Sequence, residues 1–454
     1  MFDKMYTYFN EIFHRDVVRR CEVRGGRYRV CITPEAIEAY QIKQFNVIWR
    51  DAFEHIPLYG QEKKQKILKV LCVYATRQID SNLFMSSTVF NGLQQCGYEV
   101  DIVFMGPLEV VQNFSNRYGH YFHQVYKIVI QESRIKRYLR SDRLKILYSF
   151  YLHFLKDGLV RPYKTSTLAG ILPGGYDCIL SFIPPPISGF LAYDVRKLNH
   201  LEHVPLVQFW TDPLSLGRCD DISNIPVWRY FHKKLEHKLL RNADRAVFVF
   251  PLLCEMEQRL HPEFAHKMVW SDVSYVEHHL DHGCPHNKLI TIGLFGAYQR
   301  RVRNILPLLA ALHSFPEVQF IFRGDSDMTI NAADYPNLDI QPGRRPAEEV
   351  ERLEAQCDIL LILGAFSILA LPGKAFYYAN YNKPLVFISD GVHRQYFADY
   401  LACFEDRYII CNNETESICV ALRQAIAVLP NFQLHIPARM DPARIVRRLI
   451  ENEE

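Results

Sequence analysis

Three loops in the second half of this 454-residue chain set glycine beside basic or acidic side chains, and two of them follow a run that reads as a β-strand. In the first, Phe295-Gly296-Ala297-Tyr298 leads through Arg300, Arg301 and Arg303 toward a helical stretch. Glycine lets a backbone approach a phosphate, and arginines neutralise it. In the second, Gly324 and Asp325 end a strand, and Asp325-Ser326-Asp327 is a literal Asp-x-Asp. Such a triplet either holds a divalent ion bridging a diphosphate or makes a strand-end turn. The turn is the commoner use, so no metal is expected there. In the third, Leu371, Pro372 and Gly373 open a helix whose first-turn amides would point free and make an anion site. Lys374 in that turn opposes the helix dipole, a placement favoured where an anion binds.

Earlier in the chain, Val207–Gly217 ends a strand with Trp210, Thr211 and Asp212. Asp212 could accept a proton from a substrate hydroxyl, or serve as a turn or cap residue. Residues 277–287 carry His278, His279, His282, Cys284 and His286, all zinc-capable, but their spacing matches no zinc module and reads as a hinge. Residues 134–145 carry six basic side chains and one acid, followed by an aromatic and aliphatic run. That pattern fits either a solvated helix face or an element lying on an anionic membrane surface.

These loops need elements to hold them. From Ile67 the chain alternates between apolar, β-rich runs and helical stretches. Strands are predicted at 67–74, 99–104, 177–183, 204–210 and 245–250, with helices over 83–96 and from Pro226. The pattern restarts with strands at 288–295, 318–323, 357–363, 384–389 and 407–411. Helices are predicted over 304–314, 346–356, 373–381 and 417–428. Two successive Rossmann-like, doubly wound α/β domains follow, with a ligand cleft outside the carboxyl ends of their strands. The expected division is a helical extension over 1–65, one domain over 66–282, a second over 283–430, and a closing helix within 431–454. A helix is expected over 35–56, where apolar residues recur at helical spacing.

Apolar residues make up 49% of the chain, enough for sizeable cores, and the net charge of +3 argues against a nucleic-acid binder. The twelve cysteines include no Cys-x-x-Cys pair, and several sit in apolar runs, as buried, reduced thiols do. The first residues contain early acids and no apolar leader core, and no uncharged apolar stretch is long enough to span a bilayer. A cytoplasmic protein is expected.

The ordered set is strand-Gly-x-Tyr with downstream Arg, then strand-Gly-Asp, then Pro-x-Lys-x-Phe-x-Tyr-x-x-x-x-Lys-Pro before a strand. It resembles the carboxyl-terminal half of retaining GT-B glycosyltransferases of the large glycogen-synthase-like family. The resemblance covers roughly residues 67–430 and concentrates in 295–390. It implies a metal-independent, hexosyltransferase-like enzyme with a nucleoside diphosphate sugar as co-substrate and no other cofactor. It implies that Arg303 or Arg301 and Lys374 bind the donor diphosphate, that Gly296, Gly324 and Asp325 border the nucleotide, and that Pro372 and Gly373 shape the loop. It implies that Ser81, Asn82 and Trp210 lie on the acceptor side, and that the acceptor is a glycan or is carried on a lipid. The family often has a pair of glutamates at the positions held here by Leu369 and Tyr377. Without them, the contact to the nucleotide ribose falls to Tyr377 or Tyr378. The departure keeps two other readings open: a catalytically degenerate module that binds a sugar nucleotide or a partner protein, and a nucleotide-sugar 2-epimerase on the same two-domain plan.

Overall fold

The computed structural model describes residues 18–24, 27–32, 68–76, 81–130, 163–216, 226–275, 289–300, 302–343, 345–366 and 371–451. By its contacts the chain divides into residues 1–66 and 67–454. In the first unit, β1 (Val18–Arg24) pairs antiparallel with β2 (Arg27–Ile32). This hairpin was not anticipated, although Gly25-Gly26 between two runs of alternating charge and apolarity is a hairpin signal. The helix expected over 35–56 lies outside the described residues, as do the basic run 134–145 and the histidine-rich segment 277–287.

The second unit holds two parallel sheets. The first has seven strands: β3 (Lys69–Ala75), β4 (Glu99–Gly106), β5 (Gln124–Val129), β6 (Cys178–Ile183), β7 (Leu206–Trp210), β8 (Arg245–Phe248) and β9 (Met268–Trp270), in the order β5-β4-β3-β6-β7-β8-β9. Its helices are α1 (Ser81–Gln95), α2 (Leu108–Tyr118), α3 (Pro186–Leu198), α4 (Pro226–Asn242) and α5 (Pro251–Leu260). The second sheet has six: β10 (Thr291–Phe295), β11 (Gln319–Gly324), β12 (Leu338–Pro342), β13 (Ile359–Leu363), β14 (Leu385–Ser389) and β15 (Tyr408–Asn412), in the order β12-β11-β10-β13-β14-β15. With it run α6 (Leu306–Leu312), α7 (Ala347–Gln356), α8 (Lys374–Tyr377), α9 (Arg394–Ala402) and α10 (Thr415–Val428), and α11 (Pro442–Ile450) follows them in the chain. Near-continuous apolar runs such as Ile359–Leu363, every residue of it buried, are what a strand covered by helices on both faces requires.

In each sheet the first strand in sequence lies in the interior. The next two stack on one side and the fourth onward on the other. This is the doubly wound arrangement, and its topological switch points fall between β3 and β6 and between β10 and β13. The two-domain α/β class expected from the sequence is therefore present.

The last helix does not stay with the second sheet. Asp441 caps α11 by accepting from the amide of Arg444 at 2.7 Å, Pro442 occupies its first turn, and Ile445, Val446 and Leu449 are buried. The helix packs on α1: a Cβ on Gly92 would meet the Pro442 carbonyl oxygen at 2.3 Å, so only glycine permits the approach. Arg245 of the first sheet donates to the carbonyls of Arg448 and Leu449.

Loops at the carboxyl ends of the first sheet abut the second. A Cβ on Gly373 would lie 3.0 Å from the sulfur of Met85 in α1. The amide of Leu252 donates to the Tyr396 hydroxyl at 2.9 Å, and Tyr400 donates to Asp272 just beyond β9, also at 2.9 Å. Arg439 donates to both oxygens of that carboxylate.

Candidate functional site

The glycine loop after β10 is folded against the loop after β11. A Cβ on Gly324 would fall 1.8 Å from the Gly296 carbonyl oxygen, so the two backbones touch where no side chain could fit. Gly296 itself takes a φ of +132°, in the region that favours glycine. The amide of Tyr298 donates to the Asp325 carbonyl at 2.9 Å, and the amide of Arg300 donates to the Asp327 carboxylate at 2.9 Å. Ser326 accepts from the amide of Met328. The Asp-x-Asp segment is thus a turn whose second aspartate is already a backbone cap.

Downstream, Gln299 and Arg303 close a tight turn through paired backbone bonds, and the amide of Phe366, beyond β13, donates to the Val302 carbonyl at 2.7 Å. The Arg303 Nε is buried with no hydrogen-bond partner, and nothing pairs with its guanidinium among the described residues. Arg303 is only half-buried, so solvent can reach the rest of its guanidinium, and the Nε of Arg245 and Arg323 are buried and unpaired in the same way. Arg301 and Leu369 lie outside the described residues.

Lys374 meets this loop from the other side of the switch point. Its Cε lies 3.9 Å from where a Cβ on Gly296 would stand. Its ammonium, however, is not free. It donates to the carboxylate of Glu354 in α7 and, at 2.7 Å, to the Tyr378 hydroxyl. Glu354 is fully buried and also accepts from Tyr378 at 2.7 Å and Tyr381 at 3.3 Å. Burial first, and the Glu354 charge second, push the Tyr378 and Tyr381 hydroxyls far above their ordinary range, so both remain donors. Lys383 secures the end of the same helix through the carbonyls of Glu354 and Ala355.

Two expectations are corrected here. The helix expected over 373–381 is a single α-turn, Lys374–Tyr377, followed by a 3₁₀ turn over Tyr378–Asn380. Its first-turn amides do not point free: Ala375 donates to Pro372, and Phe376 and Tyr377 both donate to Gly373. The second concerns Tyr378, which is fully buried and committed to Glu354 and Lys374, so it faces no ribose. Tyr377 is half-buried, and its hydroxyl lies 3.5 Å from Glu351, itself ion-paired to Arg117 of the first sheet.

In the first sheet, Trp210 is also corrected. It is fully buried, donates to Gln208 at 3.2 Å and packs on Phe248, so it belongs to the core rather than to an acceptor surface. Asp212 sits half-buried in the bend just beyond β7. Ser81 and Asn82 open α1, the helix that brings Met85 against Gly373.

No family model and no curated protein matches the chain. Solved structures do align with it. A glycosyltransferase from Rickettsia africae is 12% identical over 85% of this chain and 94% of its own, with a TM-score of 0.44. A lipopolysaccharide outer core galactosyltransferase is 12% identical over 85% and 99%, with a TM-score of 0.46. A UDP-GlcNAc 2-epimerase from Neisseria meningitidis is 13% identical over 85% and 99%, with a TM-score of 0.45.

Sequence reasoning missed Glu354, which turns out to organise the lysine. Its signal was present: in Ala347–Gln356 it falls on the same face as Val350 and next to Leu353, where an acid needs a buried partner. It also missed Arg117 and Glu351, whose pairing joins the two halves of the second unit.

Proposed function

We propose that this chain is a glycosyltransferase that moves a sugar from a nucleoside diphosphate sugar to a glycan or lipid-linked acceptor, in surface polysaccharide or glycoconjugate assembly on the cytoplasmic side of a membrane. The observation that carries the reading is the convergence of Gly296, Gly324 and Lys374 at the switch point of the second sheet, with Arg303, whose buried Nε has no partner among the described residues, farther along the same loop. Gly296, where a Cβ would meet only the Lys374 side chain, leaves its loop open to a diphosphate, and Arg303 would neutralise it. Lys374 has three N–H donors, and two are taken by Glu354 and Tyr378, so one remains for a phosphate oxygen.

Chemistry at such a site is mostly positioning and electrostatics. Asp212 takes the proton of the acceptor hydroxyl as that oxygen bonds to the sugar's anomeric carbon. The bond from that carbon to the diphosphate breaks, and Arg303 and Lys374 stabilise the departing charge. Asp325 and Asp327 hold no ion in this reading, so transfer proceeds without added magnesium or manganese.

A second reading, a binding module that keeps the nucleotide site and has lost transfer, is favoured by the neutralisation of Lys374 by Glu354 and by the internally bonded amides of 375–377. One experiment separates the two. The purified chain is screened for binding to nucleoside diphosphate sugars, and each bound donor is then incubated with and without glycan or lipid acceptors. Acceptor-dependent release of nucleoside diphosphate supports the enzyme. Binding without turnover supports the module, isomerisation of the donor without acceptor supports an epimerase, and no binding to any donor overturns the nucleotide site itself.

A further inference from the structure

Away from the phosphate loops, three polar side chains meet in the interior of the first sheet's helical layer. Glu236 of α4, Glu257 of α5 and His261 at the end of α5 are each 0–1% exposed. One ligand-capable atom from each lies within 4.8 Å of the others. Glu257 lies in the last turns of α5, and His261, which ends that helix, donates its amide to the Glu257 carbonyl at 2.9 Å.

The three are not equally satisfied. Glu236 accepts from the amides of Leu214 and Ser215, both at 2.8 Å, and from the Ser215 hydroxyl. Both oxygens of Glu257 are buried with no hydrogen-bond partner. A carboxyl stranded in this way either takes up a proton or meets a cation. The remaining pair is also informative. Nε2 of His261 stands 3.4 Å from Oε2 of Glu236, long for a charge-assisted hydrogen bond. It is about the edge of a tetrahedron built from metal bonds of roughly 2.1 Å, near 3.4 Å.

We propose that Glu236, Glu257 and His261 form a buried site for one divalent cation of the zinc class. Imidazole with carboxylate is a donor set such ions accept. Two carboxylates and a neutral imidazole cancel the charge of the ion, as a dry interior demands. The bonds from Leu214 and Ser215 then fix a ligating carboxylate from behind, the usual outer support of a metal site. The function is structural: the ion staples α4 to α5 and, through Glu236, holds the loop over 211–216 that carries Asp212. The inference does not depend on the proposed transfer reaction.

The test uses the full chain, purified without chelator, then measured by elemental analysis and by thermal unfolding with zinc removed and restored. The wild type is expected to carry about one zinc per chain, to melt several degrees lower once stripped, and to recover on adding zinc. Glu257→Gln, nearly isosteric, is expected to lose the ion and the zinc-dependent shift while keeping its far-ultraviolet spectrum. His123→Ala, in the separate group of Glu99, buried Asp101 and exposed His123, is expected to keep both. Absence of stoichiometric metal with no shift on adding zinc overturns the proposal. Retention of the ion in Glu257→Gln also overturns it, since the zinc then sits elsewhere. A Glu257→Gln protein that is metal-free like the wild type and at least as stable identifies Glu257 as a neutral buried acid instead.

Discussion

At the scale of single residues, the donor site rests on one unpaired cation and one shared cation, and these should respond differently to mutation. Arg303→Ala removes a guanidinium whose buried Nε has no partner among the described residues. It is expected to lower nucleoside diphosphate affinity by about 1.5–3 kcal/mol, the range for hydrogen bonds to charged groups, without lowering stability. Titration calorimetry and urea unfolding measured together check both halves; unchanged affinity removes Arg303 from the site. Lys374→Ala instead leaves Glu354 fully buried with its cation gone. Breaking a buried pair from one side costs roughly 3–5 kcal/mol. Part of this is expected back in the double variant Lys374→Ala with Glu354→Gln, which strands no charge. If the single and double variants unfold at the same urea concentration, the pair carries no such coupling. Trp210 teaches the same lesson in reverse. Its place at the end of a strand suggested a ligand surface, but an indole with Gln208 as its internal partner is satisfied in the core.

At the scale of elements, the loop after β10 is built by its neighbours as much as by its own residues. Gly324→Ala would drive a Cβ into the Gly296 carbonyl and separate the two loops. Nucleotide affinity is expected to fall about tenfold or more, some 1.4 kcal/mol, with most of the stability retained because the change lies at a sheet edge. An affinity equal to wild type would show that the Gly296–Gly324 contact does not shape the site. The segment 134–145 makes a different element-scale prediction from charge alone. Arg134, Lys136, Arg137, Arg140, Arg143 and Lys145 would each add about 1 kcal/mol near an anionic surface, weakened by salt. Reversible, salt-sensitive sedimentation with anionic vesicles is expected, with none on neutral ones, and charge reversal of Arg137, Arg140 and Arg143 should abolish it. Wild-type protein that stays in the supernatant at low salt would instead favour a soluble acceptor. The elements themselves were unevenly legible. Strands β3, β10 and β13 are apolar runs that announce themselves, whereas β12, Leu338–Pro342, is a half-exposed edge strand and was not foreseen. The single turn of α8 was overextended because Phe376, Tyr377, Tyr378 and Tyr381 look like a helical face, but the three tyrosines cluster beside Glu354 while Phe376 packs on Phe404.

At the scale of the whole molecule, the chain's last helix tests how the second unit holds together. Leu449 is fully buried where α11 meets the first sheet's layer, and Leu449→Ala is expected to cost about 3 kcal/mol in urea unfolding. Nucleotide affinity should not change, because the phosphate loops belong to the other sheet. A loss of affinity larger than the loss of stability would mean that α11 also sets the spacing of the two sheets. The sequence by itself determined the two doubly wound sheets and the loops at their switch points. Hydrophobic period, turn glycines and strand length are local properties, readable over a few residues. It also marked Gly296, Gly324, Arg303 and Lys374, because residue type and a preceding strand suffice to place them at a sheet edge. Only the tertiary structure decided that Lys374 answers to Glu354, that Tyr378 is buried, that α11 returns to α1, and that Glu236, Glu257 and His261 meet. Each of these joins side chains on different elements or closes a gap in sequence too long for any local pattern to register. Their meeting is set by how helices pack across the sheets, which no local pattern encodes.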